Sequence, residues 1–379
     1  MSNTFLTPSA LARDASIILS DNLVAAQLVN RGYEASFANK IGDSIAITVP
    51  PIATARDFID DGSVTDADIT ETSLDLELTE QPYVAHTLTT KELSLELDDF
   101  NTVVTSPAIL AIRDKCDSFI IDAAVAGFNR NLVGTAGNSP STMAHLAAGV
   151  KELNDNGAPT ANRVGILDTS AHASLIQLSQ FTNADYGSDK PSGLKEAALT
   201  RVYGCDWYMS QNAGTQVRGD VAQATTLDGV PVLAASTLTI DDAAGGSVGT
   251  IKKGARFIVT GDTATLYYTV TSDITAAGGT FVVPVTPVVN ATTVALGTNV
   301  AITWTTAVKE DVVFCKSAMA AAIVAPAPLS IGSAIGSYNG INVRVTMSTS
   351  TSSLSDQVVY DVYLGSVCVS PQAGIVLNG

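Results

Sequence analysis

Side chains that titrate or attack as nucleophiles near neutral pH are few in this 379-residue chain: three histidines and four cysteines. His86 lies in an alternating stretch, His145 in a helical one and His172 at the start of another helix. A general base works only within hydrogen-bond reach of a nucleophile and of a group that orients it. The sequence offers no GxSxG elbow at a strand-to-helix turn, no GxxxxGK[ST] loop, no HExxH and no GxGxxG. "GTAGNSPS" (134–141) is Gly-rich and precedes a helix, but lacks the lysine of a phosphate cradle and reads as a linker. We therefore read the histidines as structural or surface groups and the chain as non-catalytic, with no catalytic, cofactor-binding or metal residues and no cofactor.

Cys116, Cys205, Cys315 and Cys368 lie far apart without a CxxC pair, the pattern of buried thiols in a reducing compartment. Asp57, Asp60, Asp61, Asp66 and Asp68 are oxygen donors that a divalent cation could use. No glutamate closes a twelve-residue loop around a central glycine, so the run reads as a solvated acidic face. Every charge from Asp57 to Glu71 is negative, which predicts an exposed loop or hairpin arm over 55–71.

Composition narrows the classes further. Hydrophobic residues make up 46% of the chain, enough to fill a core. The net charge of −17 repels polyanions and argues against a dedicated nucleic-acid binder. The length predicts about two or three domains. We expect no secretory signal, because Arg13 and Asp14 interrupt the first apolar pattern. The longest uncharged run, Ser317 to Gly336, is cut by Pro326 and Pro328; it predicts a buried helix followed by a strand, not a membrane span.

Thr7-Pro8 supplies a cap and a first-turn proline for a helix to Arg31, with Leu11, Ala15 and Ile18 on one face. Ser44 to Pro51 alternates as a strand, and 72–97 holds alternating runs at Leu74-Leu76-Leu78, Tyr83 to Leu88 and Leu93-Leu95-Leu97. Ser106-Pro107 starts a long helix with Ile109, Ile112, Cys116, Phe119 and Ala123 on one stripe. Ser139-Pro140 opens another, with Met143, Leu146, Ala147, Val150 and Leu153, closing near Gly157. "RVGIL" (163–167) is a short buried strand, and Asp168 or Thr169 caps the helical segment to Leu178.

Beyond Asn212 helical periodicity vanishes for almost a hundred residues. Strands are predicted at 230–233, 237–241, 255–260, 265–270, 280–289 and 300–306, separated by turns such as "DDAAGG" and "TGDT". That spacing is a small barrel or sandwich. Helical and mixed patterning is expected again from Glu310, so the module reads as inserted.

Four stretches then carry a resemblance. "LTRVYGCDWYMSQNAG" (199–214), "DVVFCKSAMAAAIVAPAPL" (311–329), "INVRVTMSTSTSSLSDQVVYDVYLGSVCVSPQAGIVL" (341–377) and the N-terminal element order resemble tailed-bacteriophage major capsid proteins of the P22 coat type. Cys315-Lys316 and Ser370-Pro371 depart from the family's usual His-Lys and Arg-Pro. The resemblance implies an α+β, HK97-like capsid fold: peripheral and axial domains, a spine helix at 106–132, an extended loop at 55–71 and an inserted all-β barrel. It implies three segments: 1–214 (arm, loop, spine and first axial part), 215–308 (barrel) and 309–379 (remaining axial part and return). "MSTSTSSLSD" (347–356) reads as a polar loop between two of the returning strands.

The function so implied is a major capsid protein, self-assembling as pentamers and hexamers into an icosahedral head around double-stranded DNA. Scaffolding protein and portal are its expected partners, with packaged DNA held without sequence-specific binding. No membrane is involved, and assembly in the host cytoplasm precedes residence in the virion. The acidic arm is expected to pair with Arg or Lys of an adjacent subunit. Lys40, Lys91 and Lys115 are candidates for a Lys–Asn crosslink, although non-covalent holding is expected. An encapsulin-like compartment shell is the alternative. An extracellular β-rich surface protein fits less well, because the first half is helical.

Overall fold

The computed structural model describes residues 8–38, 44–49, 71–89, 100–128, 131–182, 199, 201–217, 225–242, 249–262, 267–276, 279–286, 288–289, 291–305, 307–329, 332–350 and 355–379. The chain divides into two compact units, Met1–Cys116 with Met319–Ser370, and Asp117–Ala318 with Pro371–Gly379. The acidic segment 55–70, the Leu93-Leu95-Leu97 run, Lys40 and Lys91 lie outside the described residues.

In the first unit, helix Pro8–Asn22 buries Leu11, Ala12, Ala15 and Leu19, a stripe at helical spacing. The helix stops at Asn22 rather than Arg31, and a separate turn of helix, Ala25–Leu28, follows. Opposite it lies the hairpin of Ser333–Tyr338 and Ile341–Ser350. A Cβ on Gly336 would stand 1.8 Å from the carbonyl oxygen of Ala12, so only glycine permits this approach. Asn339 and Gly340, with φ of 48° and 78°, form the two-residue turn that the right-handed twist of a hairpin favours.

That hairpin continues into a four-stranded antiparallel sheet through Ser355–Asp361 and Tyr83–Thr89. The Arg344 guanidinium grips both carboxylate oxygens of Asp361 across it. Of the polar run 347–356, expected as a loop, residues 347–350 and 355–356 extend the two strands, with Ser350 opposite Ser355. Strands Ser44–Val49 and Thr72–Glu77 pair antiparallel and close a core of Phe37, Ile45, Ile47, Leu76, Ala320 and Ala322.

Ala320 and Ala322 belong to strand Met319–Val324, which pairs with Tyr363–Cys368. The expected buried helix is therefore absent: a 3₁₀ turn, Lys316–Ala318, leads directly into this strand. Alanine favours helix in isolation, but small side chains with a ready partner strand bury well in a sheet, and packing outweighs a propensity of less than about 1 kcal/mol per residue.

Helix Ser106–Phe128 begins in the first unit and ends in the second. Its 23 residues reach about 35 Å at 1.5 Å per residue. The buried stripe starts as expected at Ile109, Ile112 and Cys116, then continues through Ile120 and Ala124, one position beyond Phe119 and Ala123.

The second unit holds a five-stranded mixed sheet, in the order Leu132–Val133, Gly374–Leu377, Val312–Cys315, Arg163–Leu167, Cys205–Met209. Every residue of its three central strands is buried, as expected of strands covered on both faces. Two glycines let rings lie flat on the backbone: a Cβ would come within 2.4 Å of Trp207 at Gly165 and 2.3 Å of Phe128 at Gly374. Phe128 also stacks on Phe314, 5.6 Å between centroids. Helix Met143–Asp155 packs against this sheet, with Leu146, Gly149 and Leu153 buried.

The Thr-rich module closes into a six-stranded barrel: Arg256–Val259, Tyr268–Val270, Thr280–Thr286, Thr237–Asp242, Thr225–Leu227, Ala301–Thr305 and back to the first. Leu238, Ile240, Phe257, Val259, Tyr268, Val283 and Val285 fill it. In place of a strand at 230–233 the chain makes a turn, and helix Ala291–Leu296 was not foreseen. Chain enters and leaves the module on an antiparallel stem, Thr215–Val217 against Ala307–Lys309. From Glu310 onward the regular elements among the described residues are strands and 3₁₀ turns, without the expected helix.

Candidate functional site

The three histidines lie in three different elements. His86 sits opposite Val358 in the four-stranded sheet. His145 accepts the backbone N–H of Ser141 at 3.2 Å through Nδ1, and His172 lies in helix Thr169–Ile176. The letters GxSxG occur at 245–249, but between two strands, Thr237–Asp242 and Gly249–Ile251, rather than before the helix that an elbow requires.

None of the four cysteines forms a disulfide. Cys205 and Cys315 flank Arg163 on neighbouring strands, and burial pushes the Cys205 thiol up to about 11 and raises that of Cys315. Neither is a nucleophilic thiolate at neutral pH. Lys115 pairs with Glu80 at 3.1 Å on the surface. Among the described residues no group of three His, Cys, Asp or Glu is placed to hold a metal. The acidic candidates Asp57, Asp60, Asp61, Asp66 and Asp68 lie outside the described residues.

Charge is instead concentrated where the barrel's stem meets the five-stranded sheet. Asp168 follows strand Arg163–Leu167 and caps helix Thr169–Ile176, its Oδ1 accepting the N–H of Ala171 at 2.5 Å. Asp311 stands between the stem strand Ala307–Lys309 and the sheet strand Val312–Cys315, and its Oδ1 accepts the N–H of Asp168 at 2.5 Å. Asp168 Oδ2 accepts hydrogen bonds from Ser139 Oγ and Lys309 Nζ, each at 3.2 Å. Glu310 Oε2 accepts the N–H of Gly214 at 2.8 Å and ties the outgoing arm of the stem to the incoming one. Asn378 Oδ1 accepts from the backbone N–H groups of Gly137 and Lys309 at 3.1 and 3.2 Å.

The two aspartates are buried, Asp311 at 0% exposed and Asp168 at 2%. Burial first, and then the negative charge of Asp168, hold the Asp311 carboxyl well above the usual range; the Asp168 N–H and the Lys309 ammonium pull it partly back. Asp311 Oδ2 and Asn378 Nδ2 have no hydrogen-bond partner among the described residues. Ser139 touches a carboxylate but no imidazole accompanies it, so the arrangement lacks a base that would activate the hydroxyl. It ties the stem to the sheet.

The first unit has a smaller polar spot. A cavity of about 260 Å³ is lined by Ser20, Gln27, Arg31, Asn339 and Ile341. Arg31 Nη2 donates to the carbonyl of Asn339 at 2.9 Å, and Glu34 lies 3.6 Å from Arg31 Nε. Burial raises the Glu34 carboxyl to about 7 against the pull of Arg31 and of the Ile323 N–H.

The sequence reading named Asp168 as a cap but passed over Lys309, Glu310, Asp311 and Asn378. A charged triplet, Lys309-Glu310-Asp311, running directly into the apolar "VVF" was the available signal.

No protein-family model matches the sequence, and no curated protein matches it. Solved structures do. A chain of Mycobacterium phage Che8 is 18% identical over 94% of this chain and 91% of its own length, with a TM-score of 0.54. A capsid structure of the cyanophage P-SCSP1u is 14% identical, covering 89% and 84%, at 0.45. A virus-like particle from Pyrococcus furiosus is 9% identical, covering 97% of each chain, at 0.44. The fold is the HK97-like α+β fold, carrying a closed six-stranded barrel.

Proposed function

We propose that this chain is a shell subunit, the major capsid protein of a tailed bacteriophage, which self-assembles into an icosahedral head around double-stranded DNA. One observation carries the reading: nearly the whole chain shares its fold with a chain of Mycobacterium phage Che8, at a TM-score of 0.54. The motifs quoted from 199–214, 311–329 and 341–377 point the same way.

In this reading the protein is structural and non-catalytic. Segment 1–214 provides arm, loop, spine and the first axial part, 215–308 the inserted barrel, and 309–379 the remaining axial part and the return. Its partners are other copies of itself as pentamers and hexamers, then scaffolding protein, portal and packaged DNA. It is assembled in the host cytoplasm and resides in the virion. A net charge of −17 suits a container, since a wall gripping many phosphates would hold back its own contents. Repeated interfaces of moderate area give a closed lattice its stability.

Negative-stain microscopy of the purified recombinant protein tests the reading. Uniform closed shells or discrete capsomers are expected; a monodisperse monomer under all assembly conditions overturns it.

A further inference from the structure

We propose that Asp168 and Asp311 form a proton-controlled latch on the stem of the barrel. With a proton on Asp311, the stem strand Ala307–Lys309 stays seated against the five-stranded sheet; loss of that proton releases it. The inference concerns the chain itself and goes beyond the shell reading.

The geometry supplies the latch. Asp311 is bonded through Oδ1 to the backbone of Asp168, while Asp168 Oδ2 holds the Lys309 ammonium at 3.2 Å. Among the described residues the charged groups facing Asp311 are Asp168, Lys309 and Glu310. The Lys309 ammonium is bonded to Asp168, and one cation does not balance two carboxylates buried side by side. Keeping Asp311 protonated leaves Lys309 to Asp168 and Glu310 to the backbone of Gly214. Ionising it places a second buried negative charge beside Asp168, with Oδ2 unpartnered among the described residues. The strain falls on the stem, because Lys309 is itself a stem residue, paired with Thr215.

Hydrogen exchange of the full chain, followed by mass spectrometry from pH 4 to 10 and corrected for the intrinsic rate, tests the latch. In the wild type, protection of 215–217 and 307–309 is expected to fall by up to about tenfold per pH unit above the ordinary aspartate range and to level off once Asp311 is ionised in the closed state, one proton being released on opening. Barrel strands Arg256–Val259 and Ala301–Thr305 are expected to stay protected. Asp311→Asn keeps the Oδ1 acceptor, removes the titration and should flatten the dependence. Asp168→Asn keeps an N-cap and removes the neighbouring negative charge while Asp311 stays buried, so it should shift the fall in protection to lower pH without abolishing it, and it carries the test if the first variant does not fold. A wild-type stem whose protection does not change with pH overturns the latch, as does Asp311→Asn retaining the wild-type dependence. Particles are scored separately by microscopy: a pH-sensitive stem in a protein that never assembles supports the latch and overturns only the shell reading.

Discussion

The barrel and the five-stranded sheet lie in one unit and are joined by a two-strand stem, yet they are built in opposite ways. All six barrel strands come from one stretch of chain, 225–305, and close on themselves. The sheet collects strands from five places between Leu132 and Leu377, with the whole barrel spliced between Cys205–Met209 and Val312–Cys315. Closing the sheet means joining segments far apart in sequence, which costs more loop entropy before any contact rewards it. Their interiors differ as well. Strand Thr280–Thr286 of the barrel buries Val283 and Val285 and exposes the threonines at its two ends, whereas Val312–Cys315 of the sheet is buried throughout. The barrel carries its core within its own segment; the sheet depends on residues that arrive last.

Deletion breaks that comparison hardest. Removing 371–379 takes out Gly374–Leu377, which stands between Leu132–Val133 and Val312–Cys315, and should abolish the sheet's thermal transition in calorimetry. The fragment 215–309 expressed alone should still melt cooperatively with a β-type circular dichroism spectrum. A fragment that is unfolded would show the barrel to be as dependent as the sheet.

Paired core truncations sharpen the contrast. Phe314→Ala removes a ring stacked on Phe128, and Phe257→Ala one packed 4.6 Å from Trp304. Each should cost about 3–5 kcal/mol, the first in the sheet's transition and the second in the barrel's. Equal displacement of both transitions by either variant would mean that the two unfold as one.

Smaller effects are expected at glycines. Gly165→Ala forces the Trp207 ring aside and should cost about 1–3 kcal/mol by urea denaturation. At Gly279, φ is +83° with open space around it, so Gly279→Ala should cost only backbone strain, about 1 kcal/mol.

The smallest difference is one of pH. Because the Asp311 carboxyl is raised in the folded state, the stability of its neutral form is complete below the ordinary aspartate value and is lost as pH rises toward the folded one. Asp311→Asn should therefore raise the sheet's melting temperature relative to wild type at pH 8, leave it unchanged at pH 4, and leave the barrel's untouched at both.

What was legible in the sequence followed the same division. "RVGIL" read correctly as a buried strand because its run is apolar and punctuated, and the barrel strands at 237–242, 256–259 and 301–305 were visible from alternation and glycine turns. Thr225–Leu227, Gly249–Ile251 and Ile274–Ala276 are three residues each, too short for any period to show. "MAAAIV" was misread as helix because its strand character comes from a partner some forty residues downstream, Tyr363–Cys368. Asp168 was legible as a cap because capping is local. Its meeting with Asp311, 143 residues away, follows from sheet order, which no local pattern encodes.

The stem has one more consequence. Thr215 and Lys309 are direct cross-strand partners, so the path leaving the sheet and the path returning to it run side by side, about 5 Å apart. To the host strands, the 93 residues between Thr215 and Lys309 are equivalent to a tight hairpin. Any guest domain whose own termini lie that close together can be grafted at this point without altering the host's topology, which makes the stem a natural socket for displaying foreign cargo.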